Sequence, residues 1–283
     1  MDCQRKLIIL LTLFAASASA DALVYAVSTN YNNFTGQFGT VDLTTGAFNQ
    51  IGHAIADPLA GLVPGSNGKI LSISASGNLD SVNPATGAVS VIGATGLGNL
   101  AYTIAELNGT VYATDLKSNL YTVNTTTGAA SLIGYTGIPI CPSLTNPNEV
   151  SDEALFADGG KLYATFDGVN LNTLASVDSP ELYQINPATG VATLVGPTAL
   201  GLDAAVRVNG AVYGFAYGYT GSSTVLALNP ANGNSTFVAD YSPNAFDITG
   251  AAPTPEPASF GLAAMGIAAV LVARRRRFYG QQH

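Results

Sequence analysis

A turn recurs five times along this chain, and it limits the fold more than any other feature. The copies are VDLTTGAFNQIG (Val41 to Gly52), VNPATGAVSVIG (Val82 to Gly93), VNTTTGAASLIG (Val123 to Gly134), INPATGVATLVG (Ile185 to Gly196) and LNPANGNSTFVA (Leu228 to Ala239). Their glycines, Gly46, Gly87, Gly128, Gly190 and Gly233, are separated by 41, 41, 62 and 43 residues. In each copy an apolar residue ends one strand, Asp or Asn caps the turn, and Gly takes the left-handed conformation before an alternating strand begins. The Asn and Gly are also the residues of Asx ligand sites, but turn geometry already accounts for them.

A second strand pattern precedes each turn by about twenty residues: LVYAVS from Leu23, then GKILSIS, GTVYATD, GKLYATF and GAVYGFA from Gly68, Gly109, Gly160 and Gly210. Short strands such as NLYTV before Asn124 and ELYQI before Asn186 lead into the turns. LAGLV, LAYTI, EALFA and DAAVR supply a fourth segment. Four strands per unit, five times over, predict an all-β fold: a five-bladed β-propeller of four-stranded antiparallel blades. The chain enters at a second strand, and Ala245 to Gly250 is a spare strand that would complete the first blade and close the ring. A solenoid or a sandwich built from the same hairpins is the alternative. The unit resembles the Thr-Gly-turn propeller repeats of exported bacterial proteins and lacks the Trp-Asp pair of WD40 repeats.

Both ends of the chain read as targeting segments. Arg5 and Lys6, the apolar run Leu7 to Phe14, and Ala18-Ser19-Ala20 form a secretory signal over residues 1–20, with Ala18 and Ala20 as the small residues signal peptidase needs and the mature chain expected to begin near Asp21. At the other end Pro255-Glu256-Pro257 precedes an apolar run, Phe260 to Ala273, and then Arg274, Arg275, Arg276 and Arg277. This three-part arrangement resembles the PEP-CTERM sorting tail. The resemblance implies recognition of Pro255-Glu256-Pro257 by an exosortase-type sorting enzyme. It also implies transient inner-membrane anchoring in a Gram-negative bacterium, then delivery to the cell surface or extracellular matrix. Fourteen apolar residues cover only about 21 Å as a helix, short of the roughly 30 Å hydrocarbon core. Four arginines hold the end on the cytoplasmic side. A permanent single-pass anchor is the competing reading. The expected domains are the signal helix at 1–20, the propeller at 21–252, and a sorting tail with its hydrophobic helix at 253–283.

Without those ends, four basic residues remain, Lys69, Lys117, Lys161 and Arg207, against sixteen acidic ones. Such a surface repels phosphate backbones, so nucleic acid is excluded as a partner. Cys141 alone remains after the signal, so no internal disulfide is expected.

The 62-residue spacing holds two insertions, one entering the fourth blade and one between that blade's second and third strands. In an up-and-down blade both emerge at one end of the ring, together with the stretches Thr29 to Gln37 and Tyr217 to Ser223. Binding surfaces of rigid scaffolds sit on such loops. The candidates are Tyr31, Tyr135, Glu149, Asp152, Glu153, Asp167, Asp178, Tyr217 and Tyr219. Tyrosines with carboxylates suit an extracellular polysaccharide or a bound calcium; the alternative is a solvated acidic rim with no dedicated ligand. No Asp-x-Asp-x-Asp-Gly loop is present, so no metal site or cofactor is assigned. No Gly-x-Ser-x-Gly, His-Glu-x-x-His or Cys-x-x-Cys motif occurs, and His53, just after a hairpin strand, reads as a rim residue. The expected role is therefore a non-catalytic binding or structural module, with a glycan-active enzyme using loop-face carboxylates as the rival.

Overall fold

The computed structural model describes residues 23–30, 33–139, 149–170, 172, 175–176, 179–217, 223–241 and 247–255. They belong to one compact unit spanning 22–255. The expected signal and tail helices lie outside the described residues, as do Tyr31, Cys141, Asp178, Tyr219, Glu256, Pro257 and Arg274 to Arg277. Among the described residues, no helix is long and apolar enough to cross a membrane.

Five antiparallel sheets make five blades, as the repeat predicts. The first contains β1 (Leu23–Asn30), β2 (Thr35–Asp42) and β3 (Phe48–Gln50). The second runs β4 (Leu59–Pro64), β5 (Ile70–Ser74), β6 (Asn78–Val82) and β7 (Val89–Ala94). The third runs β8 (Ala101–Leu107), β9 (Thr110–Asp115), β10 (Asn119–Val123) and β11 (Ala130–Tyr135). The fourth holds β12 (Glu149–Asp152), β13 (Leu155–Asp158), β14 (Lys161–Asn170), β15 (Ala175–Ser176), β16 (Glu181–Ile185) and β17 (Ala192–Pro197). The fifth runs β18 (Ala204–Val208), β19 (Ala211–Ala216), β20 (Ser223–Leu228) and β21 (Ser235–Tyr241).

The chain's last described strand, β22 (Asp247–Pro253), returns to pair with β1 and becomes the innermost strand of the first blade. The spare strand expected at Ala245 to Gly250 thus lies slightly later in the chain. A bulge between Val27 and Ser28 shifts its register. The stretch Thr29 to Gln37, expected as a long loop, is instead mostly strand. β1 and β2 pair without a break from Leu23↔Asp42 to Asn30↔Thr35.

Apolar residues fill the seams between neighbouring blades, one cluster per seam. Val24, Phe215 and Ile248 join the fifth blade to the first, and Phe38, Leu59 and Val82 join the first to the second. Ile73, Ile104 and Val111 fill the next seam, then Leu120, Leu162 and Phe166, then Phe156, Leu182 and Leu226. The second strands β9 and β19 alternate half-buried and buried positions where they begin and are buried throughout where they end.

The two glycines of the repeat meet across these seams. A Cβ on Gly93, in β7, would lie 2.2 Å from the Thr127 carbonyl oxygen in the next blade's turn. The same contact recurs at Gly52 with Thr86, Gly134 with Thr189, and Gly196 with Asn232; Gly46 packs on Asp240 to complete the circuit. The repeat therefore encodes the hairpin and also the socket that receives its neighbour.

The innermost strands surround a narrow axial cavity of about 170 Å³. Leu62, Ile104, Phe156, Val206 and Ala251 line it, one from each blade. β22 and β4 approach so closely that a Cβ on Gly250 would sit 2.7 Å from the Gly61 backbone.

Candidate functional site

Both insertions gather on one strand. β14 is ten residues long, and its C-terminal part extends past the blade. Residues of the first insertion form β12, which pairs there in the register Glu149↔Asn170 to Asp152↔Asp167. The second insertion supplies β15, paired through Val169↔Ser176 and Asn170↔Ala175. The result is a small three-stranded extension at the end of the ring where innermost strands begin and second strands finish.

The same end of the ring carries buried carboxylates. Glu153, Asp203 and Asp247 stand at the heads of three innermost strands, and Asp115 and Asp167 lie at the far ends of β9 and β14; all are buried. The best-defined group is Asp115. Its oxygens accept hydrogen bonds from the backbone amides of Lys117 (3.0 Å) and Asn119 (2.9 Å), from Asn119 Nδ2 (3.0 Å) and from the Tyr121 hydroxyl (2.8 Å). Burial first, then the Asp115 carboxylate as acceptor, pushes the Tyr121 hydroxyl up to about 12.

Glu153 faces the same group from the neighbouring blade. Burial pushes its carboxyl up to about 8; the Thr114 hydroxyl opposes the shift and the Asp115 carboxylate adds to it. Glu153 is therefore mainly protonated at neutral pH. On the opposite side of the ring, burial and the Asp247 and Asp203 carboxylates hold the Tyr241 hydroxyl well above its ordinary value. Tyr241 donates to the Ala216 carbonyl at 3.3 Å, and the Tyr217 amide donates to Asp203 Oδ2 at 3.2 Å.

The sequence candidates therefore divide. Tyr135 is 54% exposed at the end of β11, and Tyr217 is half-buried beside Asp203. Glu149 and Asp152 lie on β12 in the extension. Glu153 and Asp167, read from sequence as part of a loop face, are only 8% and 4% exposed. Tyr31, Asp178 and Tyr219 are outside the described residues. Sequence reasoning overlooked Asp115, Tyr121, Asp203, Tyr241 and Asp247; for Asp203 and Asp247 the signal was an acid next to the apolar start of an innermost strand. Among the described residues, no group of three or more His, Cys, Asp or Glu is placed to hold a metal ion.

The opposite end of the ring carries the tight hairpins and the first and last described residues, Leu23 and Pro255. Val24 pairs with Pro253, and the Thr254 hydroxyl donates to the Leu23 carbonyl at 2.8 Å. β22 thus delivers the chain, at an exposed Pro255, into the Pro-Glu-Pro sequence. The model of the "PEP-CTERM protein-sorting motif" family matches from Pro253 to Arg277.

Residues 253–277 are a PEP-CTERM motif. The PEP-CTERM motif marks an exported protein of a Gram-negative bacterium, anchored transiently in the membrane and processed by an exosortase-type enzyme. It covers the tail and leaves the propeller unassigned. No curated protein matches the chain by sequence. Glutaminyl cyclase from Myxococcus xanthus is similar at 17% identity over 74% of each chain, with a TM-score of 0.38. TolB from Acinetobacter baumannii is similar at 12% identity over 81% of this chain and 66% of that one, with a TM-score of 0.46. A Bacteroides thetaiotaomicron protein of unknown function is similar at 16% identity over 82% and 64%, with a TM-score of 0.49.

Proposed function

We propose that this chain is a non-catalytic binding module, sorted to the cell surface or extracellular matrix, whose insertion-bearing end takes an extracellular polysaccharide. The observation that carries the reading is the joining of both insertions on β14, which builds one elaborated surface on an otherwise regular ring. Tyr135, exposed at the end of β11 on the same end of the ring, offers a flat aromatic face of the kind on which sugar rings stack. The test is binding of the mature protein to a panel of bacterial exopolysaccharides. Replacing residues 171–180 with a short turn should abolish binding and leave the thermal transition in place. Equal binding by both forms would remove the reading.

One observation favours a second reading, hydrolysis of the glycan. Burial raises the Glu153 carboxyl beside a second carboxyl, Asp115, and a carboxyl raised in this way is the general acid of a glycosidase. Their burial argues for a structural role. Turnover of any bound glycan that disappears in Glu153→Gln would reverse that judgement.

A further inference from the structure

We infer that, while the tail is anchored, the propeller stands with its hairpin end against the anionic bilayer and presents the insertion end outward. The inference rests on the anchoring that the sorting motif implies and adds the orientation.

Covalent reach supplies the first argument. Pro253 closes the ring as the last residue of β22 and is also the first residue of the sorting motif, so no linker separates the two. Only Glu256, Pro257, Ala258 and Ser259 lie between Pro255 and the apolar run that opens at Phe260. Five residue steps span at most about 18 Å when fully extended. With the apolar run inserted, the end of the ring that carries Pro255 is confined to the headgroup region or its immediate edge. The mature N-terminus leaves from the same end, because Leu23 accepts the Thr254 hydrogen bond.

Charge supplies the second. Three of the four basic residues of the propeller sit at this end: Lys69 after the β4–β5 turn, Lys161 opening β14 and Arg207 near the end of β18. All three are exposed. The described acids at that end, Asp42, Glu106 and Asp158, balance these three charges, so the end is close to neutral. Asp42 accepts from the Thr44 hydroxyl and the Thr44 and Thr45 amides, Glu106 accepts from the Gly109 amide, and Asp158 pairs with Arg207. The opposite end holds Asp57, Asp115, Glu149, Asp152, Glu153, Asp167, Glu181, Asp203, Asp240 and Asp247 against Lys117 alone. An anionic lipid surface therefore repels the second end and not the first, within a Debye length of about 8 Å.

The test uses the full-length chain, with Cys3→Ser and Cys141→Ser, in phosphatidylglycerol-containing vesicles. Single cysteines carry a fluorophore at Ser66→Cys or Thr125→Cys on the hairpin end and at Lys117→Cys or Ser179→Cys on the insertion end. Lipids with a headgroup-level quencher should extinguish the fluorescence at the first pair and leave the second pair unchanged. A Gly/Ser linker of about twenty residues after Thr254 should restore the lost fluorescence, because the tether then permits rotation. Equal quenching at both ends, stronger quenching at Lys117 and Ser179, or quenching that requires an added membrane protein would overturn the orientation. A chain that fails to sediment with the vesicles would overturn the anchoring itself, a separate result.

Discussion

Gly93 and Thr127 lie in different blades, yet a Cβ on Gly93 would come within 2.2 Å of the Thr127 carbonyl oxygen. The terminal glycine of four repeats is thus the seat on which the next repeat's turn rests, and Gly46 against the Asp240 carbonyl closes the circuit. Consecutive blades are stitched further by backbone bonds from the Ala130 amide to the Thr95 carbonyl (2.9 Å) and from Ala192 to Thr136 (2.8 Å).

Gly93→Ala should therefore destabilise by about 3 kcal/mol or more, at or beyond the top of the ~1–3 kcal/mol usual for overpacked sites, because the obstacle is backbone and cannot relax. Gly210→Ala is the control. Gly210 has φ +82° and nothing within 4 Å of a built Cβ, so it should cost only the left-handed penalty of about 1–2 kcal/mol. Urea titrations of both variants check the difference. Equal losses would mean that the seam contact contributes nothing beyond backbone strain.

Closure by β22 makes a second prediction. Ile248 is 1% exposed among Val24, Ala204 and Phe215, where the last blade meets the first. Thr249 adds a 2.8 Å hydrogen bond to the Leu59 carbonyl in the second blade. Ile248→Ala should cost about 2–4 kcal/mol in denaturant unfolding. A chain ending at residue 246 leaves the inner edge of β1 unpaired and should lose its cooperative transition, whereas one ending at 255 should keep it.

The blades were legible because each one repeats Asx, an intervening Thr or Ala, and Gly at a constant offset, and turn chemistry is local. The closure was legible because the chain opens on a second strand. Strand limits were less so. Phe34 turns the β1–β2 hairpin at φ +53°, without the glycine that would have announced a tight turn, so that stretch read as loop. The acids read as solvated because their burial depends on a neighbouring blade that no local pattern reports. The second blade illustrates the limit. Asp80 stands in β6 where the third and fourth blades have Tyr121 and Tyr183, and Ser74 ends β5 where Asp115 ends β9. The acid and its hydroxyl partner have exchanged strands, a change visible only after the registers are known.

That exchange predicts the behaviour of Asp80. It is 3% exposed, Oδ1 has no hydrogen-bond partner, and burial, opposed by the Ser74 hydroxyl and reinforced by the Asp57 carboxylate, raises its pKa above the ordinary 3.8. An isosteric amide removes the buried charge and keeps a group able to pair with Ser74. Asp80→Asn should raise the melting temperature at pH 7 and have little effect near pH 3, where the native carboxyl is already protonated. A lower melting temperature at pH 7 would show that the ionised form is needed.

Glu153 gives the sharpest pH dependence. In the unfolded chain its carboxyl titrates near 4.5, and in the folded one burial moves it to about 8. Between those values the folded protein retains a proton that the unfolded chain has released. Unfolding therefore liberates a proton, and stability falls as pH rises. The contribution is fully present below about pH 4.5, declines across the window and is lost above about pH 8. Glu153→Gln keeps the shape of the protonated acid and cannot ionise. Its stability should match the parent protein near pH 5 and exceed it at pH 8 to 9, flattening the profile. Chemical denaturation at four or five pH values measures this directly. Parallel profiles for parent and variant would mean that Glu153 reaches solvent or a cation when it ionises, and the carboxylates under the insertion end would then be a polar entrance in place of a dry support.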